Sequence, residues 1–244
     1  MPPEAYMYGL PLDMCKKDRI RKYGFHGSSH KYVSGVVHNS MKKKSSKTIV
    51  CHLGSGSSIA AVKDLESIDT TMGFTPTDGL VMGTRVGSMD PMAIIYMIKQ
   101  LNMTPTAVEK VLNDKSGFLG MTQMVADLRD VYGLSQKKNV KAVDAMNKFI
   151  HQVKSYVGGY TAIMGGVDAI AFTAGIGENA EYIRESVCEG LSQLGVKIDK
   201  RKNKKHEFRI DAASSKVKIF VVPTNEELQI ARETHEKLEP FIKK

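Results

Sequence analysis

The hydrophobic pattern alternates between two periods along the chain. Residues 30–41 repeat their apolar positions at helical spacing behind Ser29, which predicts a helix with Ser29 as its N-cap. The run 47–53 is β-rich and is followed by a Gly/Ser turn and a second apolar run at 59–63, the signature of a β-hairpin. Residues 1–30 are rich in Pro, Gly and Tyr and read as irregular chain, and residues 64–90, dense in Gly, Thr, Pro and Asp, read as loops with short strands. From 91 to about 114 Ile94, Ile95, Ile98 and Leu101 mark one helical face. Residues 119–131 form a helix or a loop–helix join. A long helix is predicted over 139–165, with Val143, Met146, Phe149, Ile150 and Val153 facing inward and Gly158 and Gly159 weakening its second half. The run 167–173 has the continuous apolar character of a buried strand. A Gly-rich turn at 175–179 then opens a helix to about 194. A strand over 216–222 and a helix over 225–238 close the chain, the helix with Thr224 and Glu227 as a capping box. Strands alternating with helices and a hairpin predict an α/β layout.

Composition adds little to the fold and narrows the function. The chain has 244 residues, 42% of them hydrophobic and 25% charged, enough for a sizeable core. No stretch is long and apolar enough to span a bilayer, and the N-terminal residues lack a signal-peptide pattern. Cys15, Cys51 and Cys188 are odd in number and far apart, so neither a disulfide framework nor a zinc site is indicated, and a reducing, cytoplasmic setting is expected. The net charge of +9 favours anionic partners. Its basic clumps at 42–47, 137–141 and 197–205 carry no interleaved aromatics, so solvated loops are favoured over a nucleic-acid surface.

Four segments have chemical potential. Gly54-Ser55-Gly56-Ser57-Ser58 can expose backbone N–H groups as an anion nest, although a plain hairpin turn fits the spacing equally. The run from Phe172 to Asn179 leads a buried strand into Gly175 and Gly177, where nucleotides commonly dock; tight strand–helix packing is the alternative. His26 and His30 stand four apart, with Gly24 and Gly27 arguing for a loop around His26. Arg85, among small residues, has the fork that clamps a phosphoryl group, against the alternative of a surface salt bridge.

Taken in order, MPPEAYMYGLP, RKYGFHGSSHKYVS, HLGSGSS, DTTMGFTPTDGLVMGTR, DLRD, FTAGIGEN and PTNEEL resemble the acetate kinases, in the superfamily that also holds sugar kinases, actin and the large heat-shock chaperones. The resemblance implies a ribonuclease H-like, actin-like ATPase domain with a mixed sheet flanked by helices. It implies His26 and Arg85 as stabilisers of the transferring phosphoryl group. It places His52, Leu53, Gly54, Ser55 and Gly56 at ATP phosphates, Asp127, Leu128 and Arg129 near the adenosine, and Gly175, Ile176, Gly177, Glu178 and Asn179 along the ATP/ADP site. Glu226, adjacent to Glu227, would help to hold Mg²⁺ through water. The family usually has Asn where this chain has Ser55.

The family also carries about one more domain ahead of the residues matching Met1, with a metal-binding asparagine, a substrate-binding arginine and a catalytic aspartate. The resemblance therefore implies the C-terminal part of an acetate kinase. Residues 1–225 would be its nucleotide-binding domain, and 226–244 a helix that would pack on the further domain through Leu228, Ile230, Ala231, Leu238 and Ile242. Reversible transfer from ATP to acetate, giving acetyl phosphate and ADP, is the implied reaction, with a homodimer formed through this domain and little or no activity in this chain alone. A nucleotide-binding and dimerisation module without activity, or a propionate or butyrate kinase relative, are the alternatives.

Overall fold

A computed structural model describes residues 1–242; Lys243, Lys244 and the side chains of Pro240 and of Ile242, the latter expected on the apolar face of the last helix, lie outside that description. In chain order the elements are α1 (Pro3–Tyr6), α2 (Leu12–Lys17), α3 (Gly27–Met41), β1 (Lys47–Leu53), β2 (Ser57–Lys63), β3 (Glu66–Thr70), α4 (Pro91–Lys99), α5 (Pro105–Asp114), α6 (Gly117–Thr122), α7 (Leu128–Gln136), α8 (Val140–Ile163), β4 (Ala169–Thr173), α9 (Ala174–Asn179), α10 (Glu181–Glu189), α11 (Lys200–Lys204), β5 (Lys218–Val221) and α12 (Glu226–Ile242). Two compact units interleave along the sequence. The first is Met1–Phe25, Leu53–Ile59 and Asp69–Gly159; the second is His26–His52, Ala60–Ile68 and Tyr160–Lys244.

The five strands run β3-β2-β1-β4-β5 across the sheet. β1, β4 and β5 are parallel, with Val50 opposite Ala171 and Ala171 opposite Phe220. The short connection between β1 and β2 makes that pair an antiparallel hairpin, so the sheet is mixed. All five residues of β4 are buried, as a central parallel strand covered on both faces requires. On one face Val33 and Val37 of α3 pack against Val50, Ala169, Ala171, Phe220 and Val222. α9 packs on β4 as well, with Gly177 set against Phe172 and the carbonyl of Cys51. α12 lies along α3, tied by Lys31 to Glu233 at 2.9 Å, while Leu228, Ile230, Leu238 and Phe241 stay exposed.

The first unit is mainly helical. Phe118 of α6 meets Phe149 of α8 edge-on at 5.5 Å, within a core that includes Val108, Val131, Met146 and Val153. Gln152 reaches from α8 to the backbone N–H of Val81 at 2.8 Å, so the irregular segment before Arg85 is anchored to the longest helix.

Several local expectations change. Residues 1–30 are not wholly irregular: Pro3 opens α1, and α2 carries Asp13 in its first turn and Lys16 and Lys17 in its last, matching the helix dipole. The helix expected over 91–114 is two helices, because Asn102 takes a left-handed conformation and Thr104 caps a new helix that begins at Pro105. Gly158 and Gly159 do not interrupt α8, which continues to Ile163. The helix expected to reach 194 stops at Glu189 and is followed by a 3₁₀ turn, Ser192–Leu194. Ser29 does not cap α3; His26 occupies that position. The Thr224–Glu227 capping box does not form. Asn225 accepts the Leu228 N–H at 2.9 Å instead. The third basic clump contains α11, where Lys200 pairs with Glu185 and Glu189, so it is not simply a solvated loop.

Candidate nucleotide and phosphoryl site

The second unit gathers three histidines. His26 takes a left-handed conformation (φ 59°, ψ 28°) just ahead of α3, a cost of order 1 kcal/mol that positions its ring at the helix entrance. Its imidazole stacks on that of His52, with centroids 4.1 Å apart and planes 19° apart. His30 lies 6.1 Å from His52 and 6.5 Å from His26. His52 is the penultimate residue of β1 and is in register with Thr173 at the end of β4, so the sheet itself sets its height. Ser29 Oγ is 2.8 Å from His52 Nδ1, and the Thr224 hydroxyl donates to Ser29 Oγ at 2.9 Å. Burial, reinforced by the neighbouring imidazoles, lowers the His30 pKa to about 3 and that of His52 to about 4. Both are neutral at ordinary pH.

Beside them, the Gly-rich turn expected at 175–179 is itself helical, as α9. Ala174 starts it with φ 63°, a second left-handed non-glycine residue at the site. Glu178 accounts for that geometry. Its Oε1 accepts the N–H of Ala174 at 2.9 Å and that of Thr224 at 3.2 Å, fastening α9 to the segment that enters α12. Asn179 donates to the Gly175 carbonyl at 2.9 Å. The two glycines differ. A Cβ on Gly177 would sit 3.3 Å from the Phe172 backbone and 3.4 Å from the Cys51 carbonyl, so Gly177 serves helix–sheet packing. A Cβ on Gly175 would meet nothing within 4 Å, which leaves its backbone open to a ligand. Ile176 lies between them in the same helix. Glu226 is half-buried and Glu227 exposed in the first turn of α12.

The remaining candidates belong to the first unit. Leu53 is fully buried, Gly54 and Gly56 are half-buried, and Ser55 is exposed at the hairpin tip. Ser57 closes that tip, accepting from the Gly54 N–H at 3.2 Å and donating to the Gly54 carbonyl at 3.0 Å. Arg85 is half-buried, its Nη1 3.8 Å from Met82 Sδ, and among the described residues no carboxylate pairs with it. The expected alternative, a surface salt bridge, is not formed. Asp127 caps α7 through the Arg129 N–H and also grips the Arg129 guanidinium at 2.6 and 3.0 Å, which holds its carboxyl below the usual range. Leu128 between them is a core residue.

Two kinds of residue escaped the sequence reading. Ser29 and Thr224 were read as helix caps because hydroxyls before helices usually are; only the fold brings their hydroxyls together. Gly117 resembled any small residue in a loop, yet it takes φ 62° and lies against the backbone of Met82 and Arg85. The Met82–Arg85 turn is zipped to it: Ser116 N–H donates to the Thr84 carbonyl at 3.0 Å, and Phe118 N–H to the Met82 carbonyl at 2.9 Å.

Comparison with known proteins shows what the chain as a whole is similar to. An acetate kinase of Clostridium botulinum (strain Langeland) is 48% identical over 240 residues, covering 97% of this chain and 60% of its own length. One of Clostridium novyi is 49% identical over 243 residues, covering 98% of this chain and 61% of its own. Among solved structures, Porphyromonas gingivalis acetate kinase superposes with a TM-score of 0.93 at 39% identity, over 98% of this chain and 61% of that one. A propionate kinase from Francisella tularensis gives 0.91 at 43% identity, over 96% and 60%. The fold is therefore the actin-like ATPase fold that the motifs implied, and this chain spans about 60% of the length of these relatives. The model of the acetokinase family matches residues 1–232, and the chain belongs to that family.

Proposed function

We propose that this chain supplies the nucleotide-binding and phosphoryl-clamping share of an acetate kinase reaction, ATP and acetate giving ADP and acetyl phosphate. The observation that carries the reading is Arg85: a half-buried guanidinium without a carboxylate partner among the described residues is a cation kept for an anionic ligand. In the reaction an acetate oxygen forms a bond to the γ-phosphorus as the bond from that phosphorus to the β–γ bridging oxygen breaks. The leaving electron pair stays on ADP. Negative charge spreads over the three equatorial oxygens, and catalysis consists of holding and stabilising them. Arg85 clamps two of these oxygens. His26 donates one hydrogen bond, and the neutral His52 beside it adds no competing charge. Gly54, Ser55 and Gly56 offer N–H groups to the phosphates, Asp127 and Arg129 flank the adenosine, and Gly175 lets its backbone approach the nucleotide.

The carboxylate set suits Mg²⁺. Glu178 is already engaged by two N–H groups; Glu226, adjacent to Glu227, is the carboxylate that the resemblance assigns, and a single carboxylate befits an ion held mostly by water and nucleotide phosphates. When bound, the ion would neutralise phosphate charge. The 43% identity to a propionate kinase favours a second reading in acyl preference, with the same chemistry on a longer chain. The three cysteines are free, in keeping with a reducing, cytoplasmic setting.

Differential titration tests the clamp. The chain is expected to bind both MgADP and MgATP saturably. Arg85→Ala should weaken MgATP about tenfold, the worth of a lost charge-assisted contact, and leave MgADP unchanged. Equal loss for both nucleotides, or none, would remove Arg85 from the γ-phosphate. Acetyl phosphate formation by the 244-residue chain is the companion measurement. Turnover in the usual enzymatic range of about 1–10³ s⁻¹ would mean that these residues suffice. Only a trace would assign the missing terms to the further length that the relatives carry.

The reading includes a homodimer. α4 supports it: none of its nine residues is buried, and Met92 and Tyr96 are 64% and 59% exposed beside Ile95 and Leu101. An apolar helix left this open fits an isologous interface. Ile95→Asp is expected to shift sedimentation from dimer to monomer, and an unshifted dimer would place the interface elsewhere. The exposed side of α12, with Leu228, Ile230 and Leu238, is the face proposed to meet the further domain of the relatives.

A further inference from the structure

Arg184 is the largest fully buried side chain of the molecule, at 0% exposure. A guanidinium moved out of water without a carboxylate partner costs several kcal/mol unless every donor is met. Here four of the five donors are met, and none by a carboxylate. Nε donates to Asn203 Oδ1 at 2.7 Å. Nη1 donates to the carbonyls of Gly177 at 2.8 Å and Glu178 at 2.7 Å. Nη2 donates to the Asn203 carbonyl at 3.0 Å. The last N–H of Nη2 lies beside His206 Nδ1 at 3.1 Å, a nitrogen that gives its own hydrogen to the Glu178 carbonyl.

Two of the acceptors are the last carbonyls of α9 before Asn179. α9 is six residues long and starts from a left-handed alanine, so it cannot persist on its own hydrogen bonds. A cation against its C-terminal carbonyls supplies what its length does not. The same carbonyls fix the backbone of Glu178, whose carboxylate holds Ala174 and Thr224. On the far side, Asn203 donates through Nδ2 to the Glu181 carbonyl at 2.9 Å, and the exposed His206 lies 2.8 Å from the Glu178 carbonyl.

We infer that Arg184, closed over by Asn203 and His206, is a positioning residue that sets the conformation of α9 and so the nucleotide affinity of this chain. The inference rests on the nucleotide site proposed above. Arg184 touches no ligand; it acts through Gly177 and Glu178. Only an arginine reaches four divergent acceptors from one planar fork, so lysine is not an equivalent.

The test compares Arg184→Lys, His206→Ala and His206→Asn by amide hydrogen exchange and by MgADP titration. Arg184→Lys should weaken MgADP at least tenfold and His206→Ala about threefold, with faster exchange confined to residues 175–180 and protection of 169–173 unchanged. His206→Asn returns a donor to the Glu178 carbonyl and should restore both readouts. Should Arg184→Lys fail to fold, the surface pair at His206 decides alone. If the unaltered chain binds no MgADP, both the nucleotide site and this inference fall. If it binds, and a folded variant binds equally well or loses protection evenly across β4 and α10, this inference alone falls.

Discussion

Gly117→Ala is expected to destabilise the chain by roughly 3 kcal/mol or more, the range of a forced backbone shift at a left-handed position. The residue takes φ 62°, and an added Cβ would lie 2.1 Å from the Met82 carbonyl oxygen, 2.9 Å from that of Arg85 and 3.0 Å from the Arg85 nitrogen. Every one of these neighbours is backbone, so no side chain can swing away. The backbone cannot yield cheaply either, because Met82 N–H donates to the Arg85 carbonyl and Leu119 N–H to the Gly83 carbonyl. Phe118 next door is pinned against Phe149. The thermal midpoint should drop by on the order of 10 °C. Gly158→Ala provides the control, since a Cβ there meets nothing within 4 Å and a mid-helix alanine should add about 0.5–1 kcal/mol. Calorimetry of the three proteins checks both, and a Gly117→Ala chain that melts with the unaltered one would refute the steric account. Because Arg85 lies within the same turn, the variant should also lose selective MgATP affinity.

Acid should act at least as strongly, through the histidines. His30 and His52 have folded pKa values of about 3 and about 4, below the 6.5 of an unfolded histidine, because burial disfavours the imidazolium. The unfolded chain therefore takes up protons first as pH falls. Their stabilising contribution is complete above pH 6.5 and is lost progressively as pH drops toward 4 and then 3. At about 1.4 kcal/mol per pKa unit, the two together remove on the order of 5 kcal/mol by pH 4. Asp168 and Asp211, whose carboxyls are held below the ordinary carboxylate value, contribute at lower pH still, so the windows separate. Urea midpoints at pH 7, 5.5 and 4.5 should decline steeply, and His52→Asn should flatten the decline. A midpoint constant from pH 7 to 5 would mean that these imidazoles are not held neutral.

Where the chain buries both faces of an element, its sequence announces it. β1 and β4 are continuous apolar runs, and α8 keeps its period for 24 residues. The site was legible as segments, because Gly-rich turns and a lone arginine among small residues are unusual enough to mark. Its internal wiring was not. Whether Ser29 or His26 caps α3, and whether Thr224 or Asn225 caps α12, depends on which hydroxyls find partners across the fold, and no local rule contains that. α9 escaped for the same reason: its helical form is held by Glu178 within it and by Arg184 from outside its own six residues. Pro105, by contrast, was readable: the apolar face from Ile94 to Leu101 already ends before it.

The hydroxyl chain from Thr224 to His52 has a direction. Thr224 donates to Ser29, which leaves the single Ser29 hydrogen available to His52 Nδ1. When Ser29 gives it, that nitrogen is the acceptor, and the imidazole hydrogen resides on Nε2. A threonine 195 residues from the intervening serine thus biases one tautomer of His52. In that tautomer the ring offers a hydrogen at Nε2 and takes one only by becoming an imidazolium, which its burial resists. So wired, His52 serves as a donor rather than as a base.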